Sequence, residues 1–324
     1  MINIRAMRRR RAFVSAAFLL VVATPACAQA WQEPSYNPPV GSRWIIHSTT
    51  HTVELRGAAG NRESNMDLRS ELSIDGKTAE GFRVTLVIRD VSITGDPRKV
   101  AVELPMVNVL KGVVMHGRID GKGSPVSIDN LEEVRGRIQS GIDGVIDKFS
   151  TAPAVGAIIK QLLTPMLKLQ GKEAAGAYLD RLPQLALYQG TGLRPGDIRS
   201  SSETVASPLG NMPIKSTATL RIDGFDAASG KVHFVRERSI DPESLKSFTA
   251  NLLQQLGSAG GKPLPPEAAK IIQSVKLSLT ERAEVEVEGG MTRVIHEQST
   301  MVANALGHTM SKNEIMTLTV TPAP

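Results

Sequence analysis

From Val275 to Glu288 the chain alternates apolar and polar residues. Val275, Leu277, Leu279, Ala283, Val285 and Val287 hold the odd positions, and only Glu281 breaks the pattern. Lys276, Ser278, Thr280, Arg282, Glu284, Glu286 and Glu288 fill the even ones. A period of two belongs to an extended strand with one dry face. Gly289-Gly290 then supplies a hairpin turn. Met291 to Ala303 returns, Asn304 to Gly307 turns again, and His308 to Val320 forms a last strand. Strands near thirteen residues exceed the usual length of about 5–6, and strands that long belong to curved, barrel-like sheets. The predicted fold class is α+β: long antiparallel curved sheets, half-barrel-like, with about 9–11 strands. A central helical insert and a second short helical pair complete it.

The first β segment, 31–127, reads the same way. Trp31 to Gly41 is Pro-rich and predicts a surface arm, and Arg43 to Leu55 is rich in β-branched residues. Met66, Leu68, Ser70, Leu72 and Ile74 share one face of the next strand, and Asp75-Gly76 predicts its hairpin turn. Phe82, Val84, Leu86 and Ile88 follow, then Val100, Val102, Leu104 and Met106, then Leu110 to Ile119 ending at Asp120-Gly121. Short connections make these strands antiparallel, with one wetted face.

The periodicity changes over 128–190. Leu131, Val134, Ile138, Ile142, Val145 and Phe149 recur at three and four, behind an Asn130/Glu133 capping pair. Gly136, Gly141 and Gly144 weaken this helix unless they serve close packing. A second helix starts near Thr151 and should kink or end at Pro165. A third piece, Lys172 to Tyr188, is interrupted by Pro183. The second helix is more apolar than a one-sided surface helix needs. Either these helices cover the sheet, or they close a cavity. Val155, Ile158, Ile159, Leu162, Leu163 and Met166 are the candidate lining of such a cavity.

The second β segment, 191–324, follows the loop Gly192 to Asp197. Ile214 to Ile222 alternates and ends at Asp223-Gly224, again a predicted turn. Leu72-Ser-Ile-Asp-Gly76 and Leu220-Arg-Ile-Asp-Gly224 share four of five residues, and Val84 and Val232 keep the same spacing. One compact domain from two related halves is the expectation. Helices fall near 241–275, the first opened by Asp241-Pro242-Glu243.

Residues 1–30 read as a cleaved signal peptide. Arg5 and Arg8 to Arg11 precede a short apolar run, Ala12 to Ala23, and Ala28-Gln29-Ala30 fits a small-x-small cleavage site. Sec and twin-arginine export both remain open. Removal near Ala30 leaves 33 basic against 32 acidic residues, so net charge does not support a nucleic-acid partner. The single cysteine, Cys27, leaves with the leader, and with it any disulfide, thiol nucleophile or thiolate metal site. No later run has the ~18 apolar residues of a spanning helix. The expectation is a periplasmic or secreted bacterial protein.

Motifs for chemistry end as near misses. His296-Glu297-Gln298-Ser299-Thr300 lacks the second zincin histidine, and Gly260-Gly261-Lys262 is followed by Pro263. His47 and His51 share a strand face with Glu54 or Asp67 near, but a solvated polar face explains them. No catalytic residue, metal site or cofactor is predicted, and no enzyme. Leader, long antiparallel strands and covering helices together resemble the periplasmic lipoprotein carriers of the LolA/LolB type. That resemblance is architectural and implies a half-barrel whose apolar face holds acyl chains. Gly41 to Trp44 and Leu193 to Asp197 also resemble exported bacterial families of unassigned function. The expected partner is an apolar, lipid-like ligand, or alternatively another envelope protein in a structural role.

Overall fold

The computed structural model describes residues 31–57, 60–148, 153–207, 210–259, 276–305 and 308–324. Its centre is a single antiparallel sheet of eleven strands. The first five are β1 (Arg43–Leu55), β2 (Asn61–Lys77), β3 (Gly81–Gly95), β4 (Val114–Asp120) and β5 (Pro125–Ile128). The other six are β6 (Ile198–Ser207), β7 (Gly210–Asp226), β8 (Lys231–Ile240), β9 (Lys276–Glu288), β10 (Met291–Ala305) and β11 (His308–Pro322). The order is β5-β4-β3-β2-β1-β11-β10-β9-β8-β7-β6. Each half is a meander, and β1 meets β11 at the seam, Trp44 opposite Pro322 through Leu55 opposite Ser311. The sheet does not close, which fits the half-barrel expectation.

Among the described residues five helices accompany it: α1 (Pro97–Asn108), α2 (Leu131–Lys148), α3 (Pro153–Lys168), α4 (Gly171–Tyr178) and α5 (Pro242–Ala259), with a 3-10 turn at Leu182–Ala186. The segment from α2 to the 3-10 turn leaves the sheet at β5, one edge, and re-enters at β6, the other. It crosses the face that carries Trp44, Ile46, Leu72, Leu86, Met115, Phe234, Val285, Ile295, Leu318 and Val320, all buried. We call this the inner face. Val134, Ile138, Ile142, Ala174, Tyr178, Leu179, Leu182 and Leu185 meet it from the helical side and form one continuous core. Asn130 fixes the docking angle of α2. Its Oδ1 accepts from the His116 amide at 2.9 Å and its Nδ2 donates to the Val114 carbonyl at 2.9 Å, as a β4 neighbour would.

Three local expectations are corrected. Residues 100–106 form α1, not a strand; Val100, Leu104 and Val107 also have helical spacing, and Asp96-Pro97 starts the helix. The Val100 amide bonds the Asp96 carbonyl at 3.0 Å, as the Leu245 amide bonds that of Asp241 at 3.0 Å. Asp75-Gly76 and Asp223-Gly224 are not turns. Both lie inside strands as bulges, between Ile74 and Gly76 and between Ile222 and Gly224. An Asp-Gly pair serves a bulge as readily as a turn, and the chain reverses a few residues later. The Trp31–Gly41 arm runs over the surface as expected, mostly exposed, and aromatic contacts anchor it. Tyr36 is buried edge-on against Phe82 at 5.8 Å, and Trp31 stands edge-on to Phe225 at 5.1 Å. β5 and the serine-rich β6 carry little strand signal and were not foreseen. The helix expected after Pro265 lies outside the described residues.

The Gly289-Gly290 hairpin is as expected, with φ of 60° and 71°. A Cβ on Gly290 would stand 2.2 Å from the Ser35 carbonyl oxygen, so this turn also seats the arm. Asp241 caps α5, its Oδ1 accepting from the Ser244 amide at 2.7 Å.

Candidate functional site

The strand register stacks the inner face into tiers that run across the sheet. One tier reads Ile222, Phe234, Val285, Ile295, Leu318, Ser48 and Leu68 from β7 to β2. It is apolar apart from Ser48, whose buried hydroxyl has no hydrogen-bond partner among the described residues. The next tier reads Leu220, Arg236, Ala283, Glu297, Met316, Thr50 and Met66. The one beyond reads Ala218, Arg238, Glu281, Ser299, Glu314, Thr52 and Ser64. A charged belt therefore crosses a face that is otherwise apolar.

The belt is paired in part. Arg238 bonds Glu281, with both side chains under one-fifth exposed, and Arg236 bonds Glu203 of β6. Lys312 bonds Glu314 at 2.6 Å, and the Thr52 hydroxyl donates to Glu314 at 3.4 Å. Glu297 is held above the usual carboxylate range, first by burial and then by the neighbouring Glu281 and Glu314; Arg238 and Arg236 only partly offset this. Tyr188 roofs the boundary between core and belt. Its ring lies 5.7 Å from that of Phe234, and its hydroxyl bonds Arg236. Burial pushes its pKa up to about 12. Tyr188 is the one non-glycine residue with positive φ among the described residues, at 61°, a strained conformation that aims the ring inward.

A cavity of about 300 Å³ opens beside the belt. Its floor is Thr50, Thr52, Ser64, Met66, Ile93, Lys312, Glu314 and Met316 of the sheet, and Glu103 of α1 and Arg181 close it from above. Arg181 Nη1 stands 3.8 Å from Met316 Sδ. Toward the hairpin tips a second hollow of about 330 Å³ contains Met301 and Met310, which are 36% and 48% exposed. Four methionines thus follow one another along the inner face. Unbranched, polarizable thioethers adapt to apolar partners of varied shape.

Of the expected cavity residues, Leu163 is buried in the core and Met166 packs against it. The side chains of Val155, Ile158, Ile159 and Leu162 lie outside the described residues. The belt and the methionines were not anticipated as a site, although Glu281 was visible as the exception to its strand's alternation.

His47 and His51 lie on the outer face and pair separately with β2. His47 Nε2 is 2.8 Å from Asp67, and His51 Nδ1 is 2.7 Å from Asn65. Glu54 has the opposite parity and belongs to the inner face. Among the described residues no three His, Cys, Asp or Glu side chains converge as a metal site. His296 is on the outer face of β10, 3.1 Å from the Thr317 hydroxyl.

No family model matches the chain, and no curated protein matches it. Among solved structures, lipovitellin, described for its lipid-protein interactions, aligns with 88% of this chain at 8% identity and a TM-score of 0.41. The chain spans about a quarter of that structure, 26%. DynF from the dynemicin biosynthesis pathway of Micromonospora chersina aligns over 90% of this chain and 85% of its own at 6% identity, TM-score 0.20. An outer membrane channel from Pseudomonas putida F1 aligns over 92% and 99% at 7% identity, TM-score 0.18.

Proposed function

We propose that this chain is an exported, periplasmic or secreted, non-enzymatic binding protein for an amphiphilic ligand held on the inner face. One observation carries the reading: a methionine-lined hollow adjoins a belt of half-buried charges under a helical roof. Ion pairs taken out of water are a weak source of stability, because desolvation offsets their attraction. Apolar residues at those positions would pack the sheet at least as well. The belt is better accounted for by a polar head group placed beside Arg181 and Lys312, with an acyl-like chain along Met316, Met66 and Met301.

The test is titration of the purified full chain with a dansyl-labelled fatty acid, alongside native mass spectrometry with unlabelled lipids. Saturable one-to-one binding is expected. Met316→Trp, which fills the hollow, should weaken it by at least about tenfold, or about 1.4 kcal/mol, while leaving the unfolding transition in place. Absence of binding, or equal binding by the filled variant, would refute the reading.

A second reading is an interaction protein of the envelope. It is favoured by the solid core beneath the helices and by a sheet edge at β6 that is unpaired among the described residues.

A further inference from the structure

The two edges of the sheet are built differently. β5 is four residues long, and α4 packs against it. β6 is ten residues long, and among the described residues nothing pairs with its far side. Ile198 is 70% exposed, and Arg199, Ser200, Ser201 and Ser202 are all exposed, so over these five residues the strand is bare on both faces. Exposed edges are normally blunted by lysine, proline, a bulge or a cover. From Ile198 to Val205 there is neither lysine nor proline, and the register irregularity waits until Ala206 and Ser207.

We infer that β6 is the docking edge for a second copy of this chain, the two β6 strands pairing antiparallel about a twofold axis at Ser201. Charge complementarity selects this occupant and this register. Arg199 and Glu203 have the same parity and lie on the inner face. With the axis at Ser201, Arg199 stands opposite the partner's Glu203, and by symmetry the pair occurs twice. Directly opposed unlike charges stabilise a strand pair, and like charges destabilise it. An axis one residue earlier, at Ser200, would set Glu203 against the partner's Asp197. An axis at Ser202 would set Arg199 against the partner's Val205 and leave both charges unmatched.

The groups are prepared for this. Glu203 is already fixed by Arg236 and by the Ser201 hydroxyl, which donates to it at 3.2 Å. Arg199 is exposed, and among the described residues it has no ion-pair partner. Main-chain hydrogen bonds would supply the affinity, as in other strand additions, and the inner faces of both copies would become one surface. The inference is independent of ligand binding, so failure of either leaves the other standing.

The test uses the full chain. Sedimentation velocity should show a monomer–dimer equilibrium. Ser201→Cys in a Cys27→Ser background should form a disulfide-linked dimer on mild oxidation, because Cα atoms of an opposed antiparallel pair lie about 4.5–5.5 Å apart. Ser92→Cys on β3 is the control and should stay monomeric. Arg199→Glu should weaken the dimer roughly tenfold or more while Arg199→Lys keeps it. A monomer at all concentrations, a dimer indifferent to Arg199→Glu, or a dimer in which Ser201→Cys crosslinks no better than Ser92→Cys would overturn the proposal. The last result would also be the signature of a different interface or a foreign strand at this edge.

Discussion

Helix α2 carries three glycines, and their surroundings predict opposite effects for one substitution. A Cβ on Gly136 or on Gly144 would meet nothing within 4 Å. A Cβ on Gly141 would stand 2.9 Å from Val109 Cγ1 and 3.3 Å from Val109 Cα. Alanine exceeds glycine in helix propensity by about 0.8–1 kcal/mol. Gly136 and Gly144 are eight residues apart, about 12 Å along the axis, so their gains should add to about 2 kcal/mol. At Gly141 the same gain is opposed by overpacking of about 1–3 kcal/mol, because the contact includes Val109 backbone just beyond α1. The net is a loss of up to about 2 kcal/mol. Urea denaturation of the three single variants and the Gly136→Ala/Gly144→Ala double variant reads this directly, with Tm moving about 2–4 °C per kcal/mol. If Gly141→Ala stabilised as much as Gly144→Ala, α2 would not be seated on Val109, and the docking of the helical cover would have to be redrawn.

Two carboxylates on opposite faces of the sheet should show opposite pH behaviour. Glu297 has a raised pKa in the folded state, so the stability it confers is complete below its unfolded value and is lost as pH rises through the folded one. Glu297→Gln should therefore be more stable than the parent at pH 7, the difference vanishing as pH falls toward about 4.5; a less stable variant at pH 7 would refute the assigned environment. Glu71, on the outer face, is held below the usual range by hydrogen bonds from Arg43 and Arg89. Its contribution is present above the unfolded value and is lost as pH falls through the folded one. Glu71→Gln should cost at most about 1 kcal/mol at pH 7, as exposed pairs do, and nothing in acid; equal costs at both pH values would refute that pairing.

Much of this fold was legible because long strands announce both their period and their parity. The alternation in β9 and β2 named the residues of the inner face before any pairing was known. What stayed hidden depended on partners. β6 is rich in serine and owes its strand to pairing with β7 rather than to its own propensity. α1 was masked by an apolar run that satisfies periods of two and of three to four alike, although Asp96-Pro97 repeats the start that was read correctly at Asp241-Pro242. The belt was half legible. Each of Arg236, Arg238, Glu281, Glu297 and Glu314 is a polar residue at an inward position of its own strand. Only the register shows that these exceptions fall in two adjacent tiers.

Charge also decides which face the helices cover. Because β5 and β6 lie at opposite edges, a chain leaving one for the other must cross the sheet. The outer face offers His47–Asp67, the Arg43–Glu71–Arg89 bridge, Arg118–Asp129, Arg221–Asp223, Lys231–Glu286 and Arg282–Glu284. Laying the apolar stripes of α2 and α4 there would desolvate those ions without a compensating contact. The inner face offers Ile46, Leu72, Met115 and Leu318 instead, and the cover settles there. It extends only as far as the apolar tiers do. The 3-10 turn packs against β10, and Tyr188 then closes the core at the first charged tier. The belt lies where the burial gain of this cover runs out, beside the methionine hollow.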